Sequence, residues 1–253
     1  VGTKVGSFMG FQKSSTLAVC VSLLVMGVTV SVFSKDNPFG KFNQEDKFRQ
    51  LEEALPTPNS YRTASGAPGH RYWQQKADYK IDVKLDDDKQ RIIGSEAITY
   101  QNNSPDTLRY LWLQLDANIF APDSDAVKVA QAPGFDKVPF RTLRRMLVRE
   151  SFDGGCKITA VKDAKGKNLK YTIVKTMMRI DLPKVLKSRQ KVKFSIDWNY
   201  NINHSKMVGG RTGCEYFEKD GNYIYEIAQW FPRMVAYTDV NGWQHKQFLG
   251  RGE

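Results

Sequence analysis

The residues best suited to chemistry gather late in this chain, in Asn222 to Trp243, NYIYEIAQWFPRMVAYTDVNGW. The stretch opens as an alternating strand, with Tyr223, Tyr225 and Ile227 on one face and Ile224, Glu226 and Ala228 on the other. It then delivers Gln229, Trp230, Phe231, Pro232 and Arg233 together. Pro232 has no N–H for a sheet ladder, so the strand must stop or reach an edge there. Side chains at such an end project toward whatever borders the sheet. An amide and a guanidinium beside two aromatic rings could hold a polar ligand against an apolar wall. The same residues could equally seal a strand end as an aromatic cap.

Other reactive groups are scattered. His70, His204 and His245 have no partner at metal-ligand spacing, and no His-Glu-x-x-His is present. Each reads as a surface or hydrogen-bonding histidine. The serine-hydrolase elbow Gly-x-Ser-x-Gly and the phosphate-cradling Gly-x-x-x-x-Gly-Lys are both missing. Glu215, Glu218 and Glu226 are close in sequence, but nothing pairs them as a hydrolytic dyad. The cysteines, Cys20, Cys156 and Cys214, lack zinc spacing, so no metal site is expected in this chain. In an oxidising compartment Cys156 and Cys214 could form a disulfide; two free, buried thiols are the other reading.

The elements that position these groups begin with the N-terminus. Lys4 and Lys13 precede an uncharged run, Leu17 to Phe33, of 17 residues. That order of charge and apolar core marks residues 1–34 as a signal peptide, or a signal anchor if uncleaved. An export helix of this kind places the rest outside the cytoplasm. Net charge is +11, and the residues after 34 still hold 36 basic against 27 acidic side chains. The excess suits anionic lipid, cell wall, nucleic acid or acidic substrates without choosing among them. Export argues against nucleic acid.

Residues 35–69 read as a linker with one short amphipathic helix, Asn43 to Leu55, ended by Pro56 and Pro58. From residue 70 to 253 the pattern is β. Tyr79 to Leu85 and Arg91 to Tyr100 predict an antiparallel hairpin about the acidic turn Asp86–Asp88. Leu108 to Leu115 is apolar on both faces, as in a strand buried on both sides. Ala121 to Glu150 breaks the rhythm; its second half predicts a helix on which Arg141, Arg144, Arg145 and Arg149 alternate with Phe140, Leu143 and Leu147. Those arginines offer an anion or surface contact, or simply the solvated face of an insertion. Lys157–Lys162 and Leu169–Lys175 flank a glycine-containing turn and predict a second hairpin. Met177 to Leu182 and Gln190 to Tyr200 supply further strands. Seven or eight short strands with regular turns argue a mainly β domain, a β-sandwich or a large twisted sheet.

Several phrases carry a family resemblance. YKIDVKLD (Tyr79 to Asp86), IGSEAITY (Ile93 to Tyr100) and LWLQL (Leu111 to Leu115), with YEIAQWFPRMVAYTDVNGWQHKQFLGRGE from Tyr225 onward, resemble the N-terminal domain of bacterial aminopeptidase N-like zinc metallopeptidases, the gluzincins. The likeness covers most of residues 50–253. It implies a saddle-like, antiparallel β domain leaning on a thermolysin-like catalytic domain. It also implies that Gln229 holds the free amino end of a peptide substrate, with Trp230, Phe231 and Arg233 beside it. The wider family has a longer acidic and arginine-bearing segment between its glutamine and its Phe-Pro; here Trp230-Phe231-Pro232-Arg233 follows at once. The zinc and its ligands would belong to a catalytic domain downstream of Glu253, so the chain is expected to be a fragment without activity of its own. The implied location is the periplasm, or the outer side of the inner membrane if the N-terminal helix is retained as an anchor. A competing expectation is a stand-alone β-sandwich module that binds cell-wall glycan or a protein partner.

Overall fold

The computed structural model describes residues 58–129, 138–209 and 212–250. The apolar run Leu17 to Phe33 and the helix expected over Asn43 to Leu55 lie outside the described residues. Alternation in the sequence becomes two antiparallel four-stranded sheets. The first contains β1 (Lys76–Asp86), β2 (Arg91–Gln101), β4 (Lys157–Asp163) and β7 (Lys191–Asn201), in the order β1-β2-β7-β4. The second contains β3 (Leu108–Gln114), β5 (Tyr171–Val174), β6 (Met177–Leu186) and β10 (Arg233–Met234), in the order β10-β3-β6-β5. Two short hairpins complete the set: β8 (Gly213–Phe217) with β9 (Asn222–Glu226), and β11 (Tyr237–Thr238) with β12 (Gly242–Trp243). The described fold is thus mainly β. Its helical segments are a 3-10 turn at Asp116–Phe120, α1 (Asp125–Lys128), α2 (Phe140–Ser151) and α3 (Ser205–Val208). Among the described residues no helix is long and apolar enough to cross a membrane.

The β1–β2 hairpin forms as its alternation predicts, in register from Lys76↔Gln101 to Asp86↔Arg91. Strand β7 pairs with β2 along its whole length and buries Phe194, Ile196, Trp198 and Tyr200 on one face. These join Ile92, Ile98 and Tyr100 of β2 and Leu111, Leu113, Met178 and Ile180 of the second sheet in one hydrophobic cluster. Each such fully buried aliphatic or aromatic side chain contributes roughly 1.5–3 kcal/mol relative to exposure. Gly94 sits opposite Trp198 across the β2–β7 ladder. A Cβ there would fall 2.4 Å from Cζ2 of that indole. The ring occupies the space a side chain at position 94 would need.

Two sequence expectations change. Residues 163–167 do form a tight turn, with the Asp163 carboxylate accepting the Lys165 and Lys167 N–H groups. The strands on either side, however, enter different sheets: β4 pairs with β7 and β5 pairs with β6. After a single bridge, Lys162↔Asn168, Leu169 turns into the core and carries the chain across. Strand β3 is buried on one face only, through Leu108, Leu111 and Leu113. Its other face is clad by polar groups. The Arg179 guanidinium lies 4.4 Å from the Tyr110 ring centre, and His245 stacks on Trp112 at 5.1 Å.

Candidate functional site

The segment that follows β9 crosses from one sheet to the other. The β8–β9 ladder ends at Gly213↔Glu226, two residues earlier than the alternation suggests. The Ala228 N–H then donates to the Thr212 hydroxyl at 3.2 Å. Gln229 turns the chain with φ +52°, in the left-handed region that a residue bearing Cβ enters at a cost of about 1–2 kcal/mol. Its side-chain amide is half-buried and meets no hydrogen-bond partner among the described residues.

Trp230 and Phe231 pack on the first sheet. Trp230 lies 6.0 Å from the Trp198 ring of β7 and 5.1 Å from Phe231. Phe231 meets Tyr79 of β1 edge-on at 5.5 Å. Pro232, which lies between the β8–β9 ladder and β10, is buried. Arg233 and Met234 then pair with Gln114 and Leu113 of β3 in the second sheet. The Arg233 Nε donates to Asp116 Oδ2 at 2.7 Å, and that carboxylate is almost fully enclosed. The Tyr79 hydroxyl accepts from the Met234 N–H at 2.8 Å. One strap therefore runs from Gln229 through an aromatic cluster on one sheet to an ion pair on the other. The sequence-selected residues Gln229, Trp230, Phe231 and Arg233 are brought together. Both aromatics also serve as packing against the core.

The strap continues to residue 248 with more fastenings. The Tyr237 hydroxyl donates to Asp106 at 2.7 Å. The Asp239 carboxylate accepts from Arg62 through both oxygens, at 2.7 and 2.9 Å. The Gln247 carbonyl oxygen accepts from both the N–H and the hydroxyl of Thr176.

No family model matches this chain, and no curated protein does. Solved structures with a partial likeness are M1 zinc metallopeptidases. One from Deinococcus radiodurans is matched at a TM-score of 0.32 and 9% identity, over 55% of this chain and 23% of that one. A two-domain M1 zinc metallopeptidase mutant bound to L-arginine is matched at a TM-score of 0.34 and 10% identity, over 68% of this chain and 28% of that one. The chain thus spans about a quarter of the length of these structures, 23% and 28%.

The structure adds groups that the local sequence does not mark. Glu96 lies on the inward face of β2, only 1% exposed, with both carboxylate oxygens enclosed and unpartnered. Burial pushes its carboxyl up to about 8, so it is largely protonated at neutral pH. Strict alternation from Ile98 and Tyr100 places Glu96 on that face, which was the available signal. Asp116 and Tyr79, which fix the strap, gave no local sign of that role. Cys156 and Cys214 are free thiols, so no disulfide joins them. Their surroundings differ. The Cys156 N–H donates to Asn118 at 2.7 Å ahead of β4, whereas Cys214 pairs with Tyr225 in the β8–β9 hairpin. Burial, helped by the nearby Glu96 charge, pushes the Cys156 thiol up to about 12. Among the described residues no group of three or more His, Cys, Asp or Glu side chains could hold a metal. The described residues do not fit a zinc site.

Proposed function

We propose that this chain is the substrate-side, non-catalytic domain of an exported zinc aminopeptidase that removes N-terminal residues from peptides. Its partners are then the peptide N-terminus and a catalytic domain that brings the zinc. The β domain takes the saddle-like form that the sequence resemblance implies. The observation that carries the reading is the Gln229 amide, left without a partner among the described residues while the strap around it is pinned at both ends. An amide carbonyl at such a point can accept a hydrogen bond from a substrate ammonium. Trp230 and Phe231 supply an apolar wall beside it, and Arg233, anchored by Asp116, presents its exposed edge to the peptide. The domain itself performs no bond cleavage; it orients the amine, and zinc-assisted hydrolysis is the task of the catalytic domain. Export, with the N-terminal helix cleaved or kept as an anchor, belongs to the same reading.

The test begins with the reading frame beyond Glu253. It should encode a His-Glu-x-x-His followed by a further glutamate ligand. In the complete zinc-loaded product, Gln229→Ala should raise KM for an aminoacyl-nitroanilide roughly ten-fold and change kcat less, the pattern of a lost binding contact. Residues 1–253 with added zinc should hydrolyse nothing. A frame that stops at Glu253, or a variant with unchanged KM, defeats the proposal; the former leaves the stand-alone binding module as the surviving reading.

A further inference from the structure

A second region carries chemistry that the aminopeptidase reading does not use. Helix α2 lies against α3, and between them runs a groove of about 530 Å³ lined by Arg141, Arg145, Arg149, Ser205, Lys206 and the turn at Val208–Gly209. The three arginines recur every fourth residue, so they share one side of the helix and span about 12 Å along it. Among the described residues no carboxylate lines the groove. Among the described residues none of these three arginines has an acidic partner; Lys206, at the far wall, pairs with Glu215. Glu150, the one acidic residue of α2, sits about 100° round the helix from Arg149. The Arg149 Nε is enclosed and has no acceptor. An enclosed charged donor without an acceptor calls for one, and a guanidinium row is suited to oxyanions through paired N–H donors.

We propose that the α2–α3 groove binds a phosphate-class polyanion, with Arg145 and Arg149 as its principal contacts. The row of guanidiniums suits several negative charges in line better than a single one. That chemistry is met both by a soluble polyphosphate and by the headgroups of an anionic phospholipid. The experiment is a titration of the full chain with inorganic tripolyphosphate by calorimetry, and co-sedimentation with vesicles of phosphatidylglycerol and phosphatidylcholine. Arg149→Gln and Arg145→Gln should each weaken binding about ten-fold. Arg144→Gln removes the same charge from the same helix but lies outside the groove, and should stay within two-fold of the parent. Because α2 has no buried residue, all three variants should keep the parent's circular dichroism. Arginine-dependent binding of tripolyphosphate assigns a soluble ligand; the same dependence with vesicles alone assigns a headgroup. Equal losses in Arg144→Gln and Arg149→Gln would reduce the effect to net charge and overturn the proposal. So would the absence of binding in both arms, or equally tight binding of a hexaglutamate peptide.

Discussion

Glu96 shows what a single buried carboxyl does to this domain. In the folded state its proton is held up to about 8, against an ordinary value of 4.5. Between those two values the unfolded chain releases the proton and the folded chain keeps it. Stability must therefore fall as pH rises through that window, by up to roughly 3 kcal/mol at pH 7, and level off above it. Urea titrations from pH 5 to 8 should show the decline, and Glu96→Gln should flatten it. A decline of equal size in the variant would assign it to other groups. Close by, Gly94 and Trp198 form a pair in which one residue exists to admit the other. Gly94→Ala places a methyl 2.4 Å from the indole and should destabilise the domain by about 1–3 kcal/mol. Trp198→Phe alone would also cost stability, yet combining the two should cost less than the sum of the single changes. Additive losses in chemical denaturation would show that the contact is not the cause.

At the scale of elements, the strap from Gln229 onward is fixed to the second sheet by a partly exposed ion pair, Arg233 with Asp116. Asp116 is enclosed and Arg233 is 37% exposed, so the pair lies between a surface bridge and a buried one. Arg233→Met should leave a buried carboxylate uncompensated and destabilise by roughly 2 kcal/mol. Adding Asp116→Asn should recover part of that loss in the same denaturation measurement. A double variant no more stable than Arg233→Met alone would place the cost elsewhere. The elements themselves were unevenly legible in the sequence. Strands β2 and β7 follow from period-two alternation, because each buries one face of a long strand; β1 follows as the hairpin partner of β2, although Val83 and Leu85 of its apolar alternation stay exposed. The arginine-bearing helix was legible in the same way, through its period. The β4–β5 connection misled because a hairpin turn fixes only its own few residues; whether the next strand returns or crosses is decided by where Leu169 finds a core. Strand β3 misled because Tyr110 and Trp112 look buried by type, while cation–π and stacking partners suffice for an outward face. At the candidate site, residue types drew attention to Gln229 through Arg233. The partners that orient them, Tyr79, Asp116 and Trp198, lie in other strands and turns, and no local spacing pairs residues across that distance.

For the molecule as a whole, the two described thiols bear on how it is held together. With both sulfurs free, the described fold relies on its core and strap with no covalent brace between them. Thermal unfolding should be unchanged by a reductant. Alkylation at pH 8 should leave Cys156 unmodified in the folded state, because burial keeps its thiol protonated to about 12. Mass spectrometry after denaturation would count the protected group, and rapid labelling before it would contradict the packing described. The strap has a further consequence, which concerns the order in which a chain is made. The sheets are complete in sequence by Asn201, apart from the short β10, but the contacts that pin them, from Phe231 on Tyr79 to Gln247 on Thr176, are supplied by a segment synthesised after them. On a ribosome the described strands that precede residue 229 must wait unclasped until that segment emerges, since domains close as units. Tyr79 and Asp116 lack their strap contacts until that segment emerges, so a holding chaperone would meet this chain with its latch still open.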